Sequence, residues 1–318
     1  MHWLAELDGR RIVVEVPGSS ANLGAGYDCL AVALALTNRV ELEVRGWNRG
    51  EIELVVEGEG EGELPADHSN RFVRGVEAAL VAARGALGEP IGWRIEMHNE
   101  VPLARGLGSS AAATVGGLIA GNALVGEPLT ARDLLRLATE IEGHPDNAAA
   151  ALWGGFVVVG PGVDGIETIR FDAPRDLRAV LFIPDLRLPT KDMRAALPAK
   201  VPLADAVANL GRVAIGVAGI ATGRYDLLRA LTVDRLHEPY RAKLFPQLPR
   251  LVEAATKAGA IGACLSGAGS TVLAFADSMS GISRIEAAFG AAAADTDLPG
   301  RISVVSPRNQ GARVVTGR

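Results

Sequence analysis

The sequence predicts a two-domain α+β protein, and three observations lead to this fold class. The chain has 318 residues, which is enough for two domains of ordinary size. Strand and helix patterns are mixed along it, and no internal repeat is present. A new series of strands and helices begins near residue 175. We therefore expect one domain over 1–174 and a second over 175–318.

The first domain is predicted to contain five strands and four helices. Residues 11–17 alternate and are rich in Val and Ile, which is typical of a strand, whereas 70–87 places apolar residues at helical spacing. Thr130 is a good N-cap for a helix that ends at Glu142. The remaining predicted elements are strands over 33–44, 51–57, 91–99 and 155–159, a mostly buried helix over 109–125 and a short alanine-rich helix after 147.

The second domain is predicted to mix strands and helices in the same way. Its predicted strands cover 179–183, 260–266, 271–276 and 301–306. One predicted helix begins at 190, and four others cover 204–222, 225–231, 245–258 and 282–294.

A solvated loop is predicted within the first domain, because Gly and Glu alternate between residues 58 and 65.

Composition excludes several classes of protein. A net charge of −5 gives no basic surface for a nucleic acid, and 48% hydrophobic residues argue against disorder. The absence of any run of 18 apolar residues argues against a spanning helix, and residues 1–6 lack the features of a signal peptide. Cys29 and Cys264 are too few for a disulfide framework or a cysteine zinc site. We expect a cytoplasmic protein with buried cysteines and no nucleic-acid or membrane partner.

The most informative segment for function is the glycine-rich turn at 102–113, Pro-Leu-Ala-Arg-Gly-Leu-Gly-Ser-Ser-Ala-Ala-Ala, which leads into a predicted helix. The unpaired N–H groups and positive dipole end of a helix start attract phosphate. Two serines follow the glycines, so their hydroxyls can reach a metal ion bound to phosphate. The turn lacks the lysine of the common P-loop and the third glycine of the dinucleotide fingerprint. A tight structural connection is the alternative interpretation.

Three further segments combine polar residues with glycines. Ser-Ser-Ala-Asn-Leu-Gly-Ala-Gly-Tyr-Asp at 19–28 follows the first strand, Glu-Ile-Glu-Gly-His-Pro-Asp-Asn at 140–147 ends a helix, and Ser-Gly-Ala-Gly-Ser at 266–270 lies between two strands. The carboxylates of the second segment suit Mg²⁺, which typically uses one or two carboxylates plus phosphates. Taken singly, the three segments are also explained as an Asn/Asp-stabilised turn, a solvated helix end and a plain hairpin.

Together, the four segments resemble the GHMP kinases, a family of small-molecule kinases, over nearly the whole chain and in the family's order. The likeness is closest to the homoserine kinase branch, because of Glu-Gly-His-Pro-Asp-Asn at 142–147 and Asn-Gln-Gly-Ala-Arg at 309–313. The resemblance implies the two-domain GHMP kinase fold, with a ribosomal-S5-domain-2-like, ATP-binding N-terminal domain and a ferredoxin-like C-terminal domain. Tyr27 departs from the family, in which phenylalanine is usual.

On the nucleotide side, the resemblance implies that the glycine turn wraps the phosphates of ATP. Ser110 and Glu140 would complete the shell of Mg²⁺, with Glu142 as the reserve candidate, and Asn70 resembles the family's adenine-side contact. The implied ATP-binding residues are Asn70, Pro102, Leu103, Ala104, Arg105, Gly106, Leu107, Gly108, Ser109, Ser110, Ala111 and Ala112.

On the acceptor side, the resemblance implies L-homoserine, which carries an ammonium group, a carboxylate and a primary hydroxyl. Asp28 suits the ammonium group, and Arg194 and Arg241 suit the carboxylate by charge and planar geometry. The implied substrate-binding residues are Asn22, Asp28, His144, Asn147, Thr190, Arg194 and Arg241, and the implied catalytic residues are Asn147, Arg194 and Glu140.

The resemblance also bears on the mechanism. Several GHMP kinases place an aspartate near the acceptor hydroxyl as a base, and the matching position here is Asn147. Direct in-line transfer without a dedicated base, in threonine biosynthesis, is therefore implied, and it suits a loose transition state. Asp146 stays open as a base. Two other hypotheses are a different acceptor (mevalonate, shikimate or a sugar) and a non-catalytic nucleotide-binding regulator. A homodimer is also left open.

Overall fold

The computed structural model describes residues 6–46, 50–87 and 90–317, so residues 1–5, on which the signal-peptide expectation rests, lie outside it. The strands are β1 (Arg11–Ala21), β2 (Leu30–Val44), β3 (Ile52–Gly58), β4 (Trp93–Asn99), β5 (Phe156–Gly162), β6 (Gly165–Phe171), β7 (Arg178–Pro184), β8 (Gly262–Leu265), β9 (Val272–Ala276), β10 (Gly300–Val305) and β11 (Arg313–Gly317). The helices are α1 (Arg71–Arg84), α2 (Ser109–Leu124), α3 (Ala131–Glu142), α4 (Asp146–Trp153), α5 (Thr190–Ala195), α6 (Leu203–Thr222), α7 (Leu228–Leu231), α8 (Glu238–Arg241), α9 (Leu248–Lys257) and α10 (Met279–Asp295), with a 3₁₀ turn (Tyr225–Leu227) before α7. This mixture confirms the predicted α+β class.

The first sheet has seven strands, in the order β11-β1-β2-β4-β3, with β5 paired to β2 and β6 paired to β5. β2 is 15 residues long, so residues 38–44 pair with β4 while residues 30–32 pair with β5. Helix α2 packs against β1 and against α1, and it is buried along most of its length, as its small and apolar residues predict. The core of this layer contains Phe72, Trp93 and Leu118, each at most 1% exposed.

The second sheet has four antiparallel strands in the order β10-β7-β9-β8. Helices α9 and α10 cover one face, where Phe182, Phe289 and Leu251 are buried in one cluster. The opposite face belongs to a different cluster, in which Phe275 is buried together with Leu30 and other residues of the first sheet. The two sheets are therefore joined by a continuous apolar interface, and the loops at its edge are held in fixed relation.

The first strand is longer than predicted. The alternating pattern of 11–17 predicted an end at Pro17, but β1 continues to Ala21, with a register irregularity against β2 between Pro17 and Gly18. A proline cannot donate to a sheet ladder, which explains a local irregularity there. The first three residues of the 19–28 segment thus belong to the strand, and the turn begins at Asn22.

Three elements were not predicted: β6, α8 and β11. β6 alternates between exposed and half-buried positions, so it has no strongly apolar face. α8 contains only four residues, which is too short for a periodic pattern. β11 pairs with β1, so the chain returns to the first sheet after the second one is complete.

Helix α6 is the one described helix that is long and apolar enough to cross a membrane, with a mean hydropathy of 1.4. The sequence argued against a spanning helix because it has no unbroken run of 18 apolar residues, and Asp205 and Asn209 interrupt the apolar residues of α6. Asp205 forms an ion pair with Arg235, and buried Asn209 bonds to Ala25 and Asp234, so the polar side of α6 faces the body of the protein. Large apolar residues on its other side are exposed: Leu203, Val207, Leu210 and Ile215.

Candidate active site

The four segments identified from the sequence meet around one opening of about 110 Å³, which we call the polar cleft. Its walls are the turn after β1, the turn before α2, the α3–α4 junction and the β8–β9 turn, together with α5 and α8. The predicted site residues that line it are Asn22, Asp28, Pro102, Ala104, Arg105, Gly106, Leu107, Gly108, Ser109, Ser110, Ala111, His144, Asn147, Thr190, Arg194 and Arg241. Of the other predicted residues, Asn70, Leu103 and Ala112 line an adjacent cavity and Glu140 lines neither.

The glycine turn passes close to the β8–β9 turn at Gly106 and close to β1 at Gly108. Gly106 and Gly108 have φ values of +73° and +72°, which favour glycine. A Cβ on Gly106 would lie 2.1 Å from the carbonyl oxygen of Ser266, and one on Gly108 would lie 2.3 Å from Oγ of Ser19. No other residue type fits this close approach.

The start of α2 has the properties of an anion site. Gly108 is the N-cap without a side-chain bond, and the first intrahelical bond runs from the N–H of Ala112. The N–H groups of the three preceding helical residues therefore have no partner within the helix. The first turn carries no acidic residue, so nothing in it neutralises the positive dipole end. Phosphate oxygens would satisfy these groups.

The side chain of Arg105 supports the glycine turn. Its guanidinium donates to the carbonyl oxygens of Pro184 (2.7 Å), Asp185 (2.9 Å) and Leu103 (3.2 Å). These bonds attach the glycine turn to the end of β7. The backbone of Arg105 stays the predicted contact with phosphate.

The position of Glu140 does not support its predicted roles as a metal ligand and a catalytic residue. Its side chain is 59% exposed and pairs with Arg136 one turn earlier in α3. Glu142, two residues later, lies about 200° further round the helix and lines the polar cleft. Its side chain is 5% exposed, and it accepts a hydrogen bond of 2.6 Å from Oγ1 of Thr114.

Glu142 and Ser110 fit a magnesium ion that is held mainly by phosphate groups. Both residues line the polar cleft, beside the anion-binding start of α2. Among the described residues, no group of three or more His, Cys, Asp and Glu side chains forms a self-sufficient metal site. One carboxylate and one hydroxyl are what Mg²⁺ needs when the phosphates of a nucleotide supply further oxygens.

At the opposite end of the cleft, Asp28 and Arg194 form a bidentate ion pair. Nη1 and Nη2 of Arg194 lie 2.9 Å and 2.6 Å from the two carboxylate oxygens, and Nη1 also donates to the hydroxyl of Tyr27 at 2.9 Å. This hydrogen bond to Asp28, opposed by burial, raises the pKa of Arg194. The guanidinium groups of Arg194 and Arg241 lie 5.5 Å and 5.4 Å from the Tyr27 ring centre. Tyr27 therefore connects the two predicted carboxylate anchors.

Arg241 is a buried cation without an acidic partner. Its residue is 1% exposed, and its guanidinium bonds to the carbonyl oxygens of Gly267 (2.9 Å) and Met193 (3.4 Å) and to Nδ1 of His237 (3.1 Å). Among the residues that the structure describes, it makes no salt bridge to a carboxylate, and burial lowers its pKa. A buried charge is costly without a counter-ion, so the arrangement favours an anionic ligand at this point.

The α3–α4 junction places three polar side chains against the cleft. Nδ1 of His144 lies 2.9 Å from Oδ1 of Asp146, which also accepts from the N–H of Asn147 at 2.7 Å. Burial disfavours the imidazolium form, but the hydrogen bond and charge of Asp146 outweigh it, so the pKa of His144 is raised. Asn147 accepts a hydrogen bond from Ser19 through Oδ1. The amide nitrogen of Asn147 is therefore the atom left for a ligand.

Asn22 holds the turn that carries Asp28. Its side chain donates to the carbonyl oxygen of Gly267 at 2.9 Å and accepts from the N–H of Asp28 at 3.0 Å. It lines the cleft as predicted, but both ends of its amide are already used for structure. Thr190 is exposed at the first position of α5 and lies one turn from Arg194.

The adjacent cavity, which we call the apolar cavity, has a volume of about 220 Å³ and shares Ala104, Ser109 and Ser110 with the polar cleft. Asn70 lines it but caps α1 through Oδ1 and donates to the carbonyl oxygen of Pro65. The predicted base-contacting amide is thus largely committed to local structure.

Sequence reasoning missed several residues of the site. Asn38 and Asn99 face each other across β2 and β4 and line the apolar cavity. Ser19 and His237 each bond to a predicted site residue, Asn147 and Arg241 respectively. The signal that was available for these residues is polarity at positions of buried strands and helices, where polar side chains are uncommon.

Cys29 and Cys264 are free thiols; Cys264 is buried, as predicted, whereas Cys29 is only partly buried. Burial raises the pKa of Cys29 to about 11, and burial also raises that of Cys264, which is fully enclosed. Both thiols are therefore protonated near neutral pH, which fits packing residues and not reactive ones.

Comparison with known proteins gives a consistent picture. The family model for the GHMP kinases N-terminal domain matches residues 71–155, and the model for the GHMP kinases C-terminal region matches residues 217–295. A homoserine kinase of Moorella thermoacetica is 40% identical over 303 residues, which cover 95% of this chain and 99% of that protein. A homoserine kinase of Carboxydothermus hydrogenoformans is 44% identical over 266 residues, or 83% of this chain and 85% of that protein.

Solved structures include a similar protein. The crystal structure of homoserine kinase from Cytophaga hutchinsonii superposes with a TM-score of 0.81 at 31% identity, and the match covers 96% of this chain and 97% of that chain. The likeness in sequence and in fold therefore extends over both sheets.

Proposed function

Because the chain belongs to the GHMP kinase family, we propose that it transfers the γ-phosphoryl group of ATP to the side-chain hydroxyl of L-homoserine, giving O-phospho-L-homoserine for threonine biosynthesis. The observation that carries the choice of acceptor is the group of charges at one end of the polar cleft. Arg241 is a buried cation without a carboxylate partner among the described residues, and the Asp28–Arg194 pair lies beside it. A zwitterionic amino acid complements both the cation and the carboxylate of Asp28. Mevalonate and shikimate carry a carboxylate for Arg241 but no ammonium group for Asp28, and a sugar carries neither.

The nucleotide is proposed to bind along the start of α2. The apolar cavity is large enough to take part of a purine base, and Asn38 and Asn99 provide polar atoms at its wall. The β- and γ-phosphates would accept hydrogen bonds from the N–H groups of Ser109, Ser110 and Ala111. Ser109 and Ser110 line both openings, so the phosphates would pass from one to the other.

Magnesium is the proposed metal, and Glu142 and Ser110 are the residues that would hold it. When bound, the ion neutralises charge on the β- and γ-phosphates. The carboxylate of Glu142 is held in place by Thr114, so its orientation does not depend on the ion. The remaining contacts of the phosphates would come from the glycine turn.

The acceptor is proposed to lie with its carboxylate against Arg241 and Arg194 and its ammonium group against Asp28. Arg194 then exchanges part of its bond with Asp28 for the carboxylate of homoserine, and Asp28 gains the ammonium group. Asn22, Thr190 and His144 complete the wall of this end of the cleft. The hydroxyl of homoserine would reach toward Asn147 and the phosphates.

The proposed transfer is in line and needs no dedicated base. Asn147 presents an amide nitrogen, which can donate a hydrogen bond but cannot accept a proton from the hydroxyl. A loose transition state does not require early deprotonation of the attacking oxygen, so positioning supplies most of the rate. Asp146 is the carboxylate nearest in sequence, and its Oδ1 is already shared by His144 and the Asn147 N–H.

The deciding experiment measures ADP release with Mg²⁺-ATP and each of L-homoserine, mevalonate, shikimate and galactose. We expect turnover with L-homoserine alone. Turnover with one of the other acceptors and not with homoserine would replace the proposed acceptor. ATP binding without turnover of any acceptor would favour the nucleotide-binding regulator.

The finer organisation of the protein is also proposed here. We infer domains over 1–174 and 175–318, with β11 crossing back to the first sheet. We infer a homodimer across the uncharged face of α6, on which Leu203 is 79% exposed and Leu210 is 70% exposed. Contiguous exposed apolar residues mark interaction surfaces, and a twofold axis brings identical faces together. A cytoplasmic location is inferred from the free thiols and the metabolic substrates.

A further inference from the structure

His237 is a fully buried histidine that lies between the two halves of the acceptor end of the cleft. On one side, its Nε2 is 2.8 Å from the carbonyl oxygen of Gly24, in the turn that carries Asp28. On the other side, its Nδ1 is 3.1 Å from Nη1 of Arg241. Its ring centre lies 5.3 Å from that of Tyr27, which both arginines of the site contact.

These two bonds fix the protonation state of the ring. A guanidinium group can only donate, so Nδ1 of His237 must accept and carries no proton. A carbonyl oxygen can only accept, so Nε2 must carry the proton. The pKa of His237 agrees with a neutral ring, because burial lowers it to about 4 in spite of the nearby carboxylate of Asp234.

The backbone of His237 is fixed by a second set of bonds. Oδ2 of Asp234 accepts from the N–H groups of His237 and Glu238, each at 2.7 Å, at the start of α8. Oδ1 of Asp234 accepts from the side chain of Asn209 on α6 at 2.7 Å. The side chains of Asp234 and His237 are both 0% exposed. The ring therefore has little freedom to move away from Arg241.

We propose that His237 is a positioning residue for the phosphoryl acceptor. It holds the guanidinium of Arg241 and the turn carrying Asp28 at a fixed distance from each other, so that Arg241 and Asp28 can bind the carboxylate and the ammonium group of the same amino acid. This inference rests on the proposed function, because it assumes that Arg241 binds the carboxylate of the acceptor. Nδ1 acts on Arg241 and Nε2 acts on the turn, so the two atoms can be tested separately.

Three variants separate the two atoms. His237→Asn places an amide oxygen near the position of Nδ1 and keeps the bond from Arg241, whereas His237→Gln reaches the position of Nε2 and keeps the bond to Gly24. His237→Leu removes both bonds and keeps an apolar side chain in the space. The measurements are kcat, the KM for L-homoserine, the KM for ATP and the melting temperature of each variant.

We expect His237→Leu and His237→Gln to raise the KM for L-homoserine about tenfold or more, because a hydrogen bond to a charged group is lost. His237→Asn loses only the neutral bond to Gly24, so it should raise the KM for L-homoserine by a smaller factor, about threefold, and the KM for ATP should change less than about twofold in all three. A KM for L-homoserine that is unchanged in the Asn or the Gln variant, or a KM for ATP that changes as much, would reduce His237 to a structural residue and overturn the proposal.

A measurement on the wild-type protein does not depend on how the variants fold. Long-range ¹H–¹⁵N correlation of histidine-labelled protein at pH 7 should show the neutral Nε2–H form of His237. A proton on Nδ1 at that pH overturns the proposal. Wild-type turnover is measured first: if L-homoserine is not phosphorylated, the proposed function and this inference both fail, whereas turnover without the expected KM pattern overturns this inference alone.

Discussion

Ser19 and Asn147 are 128 residues apart in the sequence, and a 2.8 Å hydrogen bond from Oγ of Ser19 to Oδ1 of Asn147 joins β1 to the first turn of α4. The bond directs the amide nitrogen of Asn147 toward the polar cleft. Gly108 lies against the same pair, because a Cβ on it would be 2.3 Å from Oγ of Ser19 and 3.0 Å from Oδ1 of Asn147. The glycine turn, which is proposed to bind phosphate, and the proposed acceptor contact therefore both depend on one hydrogen bond.

Removing this hydrogen bond should slow transfer without weakening ATP binding. We expect Ser19→Ala to lower kcat about fivefold, since one hydrogen bond is worth about 1 kcal/mol, while the KM for ATP stays within about twofold. The matched control is Ser278→Ala, because Ser278 caps α10 and lies in no part of the cleft. It should lower the melting temperature and leave kcat unchanged. Equal kcat values for the two variants would contradict a positioning role for Ser19.

The two glutamates at the end of α3 provide a matched pair for the metal site. We expect Glu142→Gln to lower kcat by more than about tenfold at saturating ATP and to require more Mg²⁺, because a buried carboxylate that lines the cleft together with Ser110 is lost. Glu140→Gln should stay within about twofold of wild type, since its exposed side chain contacts only Arg136. A titration of activity against Mg²⁺ checks both. The opposite ranking would return the metal role to Glu140.

Local patterns in the sequence identified the four segments that meet at the polar cleft but not how each side chain points. The turn and helix start at 102–113 were predicted correctly, because backbone conformation there depends on glycine and on the helix that follows. Glu140 and Glu142 differ by only two residues, yet they face opposite sides of α3, and this phase is set by how the helix packs. The sequence contains no direct signal for that packing, so the exposed glutamate was preferred.

Contacts between distant segments were beyond sequence reasoning. The Asp28–Arg194 pair joins residues 166 positions apart, and its geometry follows from the interface between the two sheets. The same interface places His237 beside Gly24, 213 positions away. Residue types alone predicted the charges of the site, whereas the tertiary fold determines which charges neutralise each other.

Ligand analogues can test the charge pattern of the acceptor end by thermal stability. L-Homoserine at about 100 times its Kd should stabilise the protein by about 2.7 kcal/mol. 3-Amino-1-propanol lacks the carboxylate, so it leaves Arg241 without a counter-ion, and 4-hydroxybutanoate lacks the ammonium group that faces Asp28. We expect both analogues to shift the melting temperature much less than homoserine does at equal concentration.

One outcome of the comparison between the two analogues would contradict the proposed role of Arg241. A shift by 3-amino-1-propanol equal to that of homoserine would show that Arg241 does not bind a carboxylate. Arg241→Lys, which keeps the charge but loses the planar geometry, should reduce the shift by homoserine and leave the shift by ATP unchanged.

The exposed face of α6 makes the oligomeric state testable. We expect light scattering after size-exclusion chromatography to show a dimer for the wild-type chain and a monomer for Leu210→Asp, because a charge would be buried between two apolar faces. The control is Val163→Asp, at a fully exposed position in the β5–β6 turn, which should stay dimeric. A monomeric wild-type protein at micromolar concentration would remove α6 as an interface.

The His144–Asp146 pair should make the stability of the protein depend on pH. Burial lowers the pKa of His144, but the hydrogen bond and charge of Asp146 raise it by more than burial lowers it. The folded pKa therefore lies above the unfolded value of 6.5. The folded state thus binds a proton more tightly than the unfolded chain does. The resulting stabilisation is complete below about pH 6.5 and is lost as the pH rises through the folded pKa, at about 1.4 kcal/mol for each unit of difference.

Melting curves of wild-type protein, His144→Asn and Asp146→Asn between pH 5.5 and 9 measure this dependence. The difference in melting temperature between the wild type and His144→Asn should be largest at the acidic end and should decrease toward alkaline pH. Asp146→Asn should remove most of the same dependence, because the neutral amide no longer favours the imidazolium form. The control is His98→Gln, whose side chain is 55% exposed in its pair with Glu57. A wild-type advantage that increases with pH would mean that His144 is held in the neutral form, contrary to the geometry with Asp146.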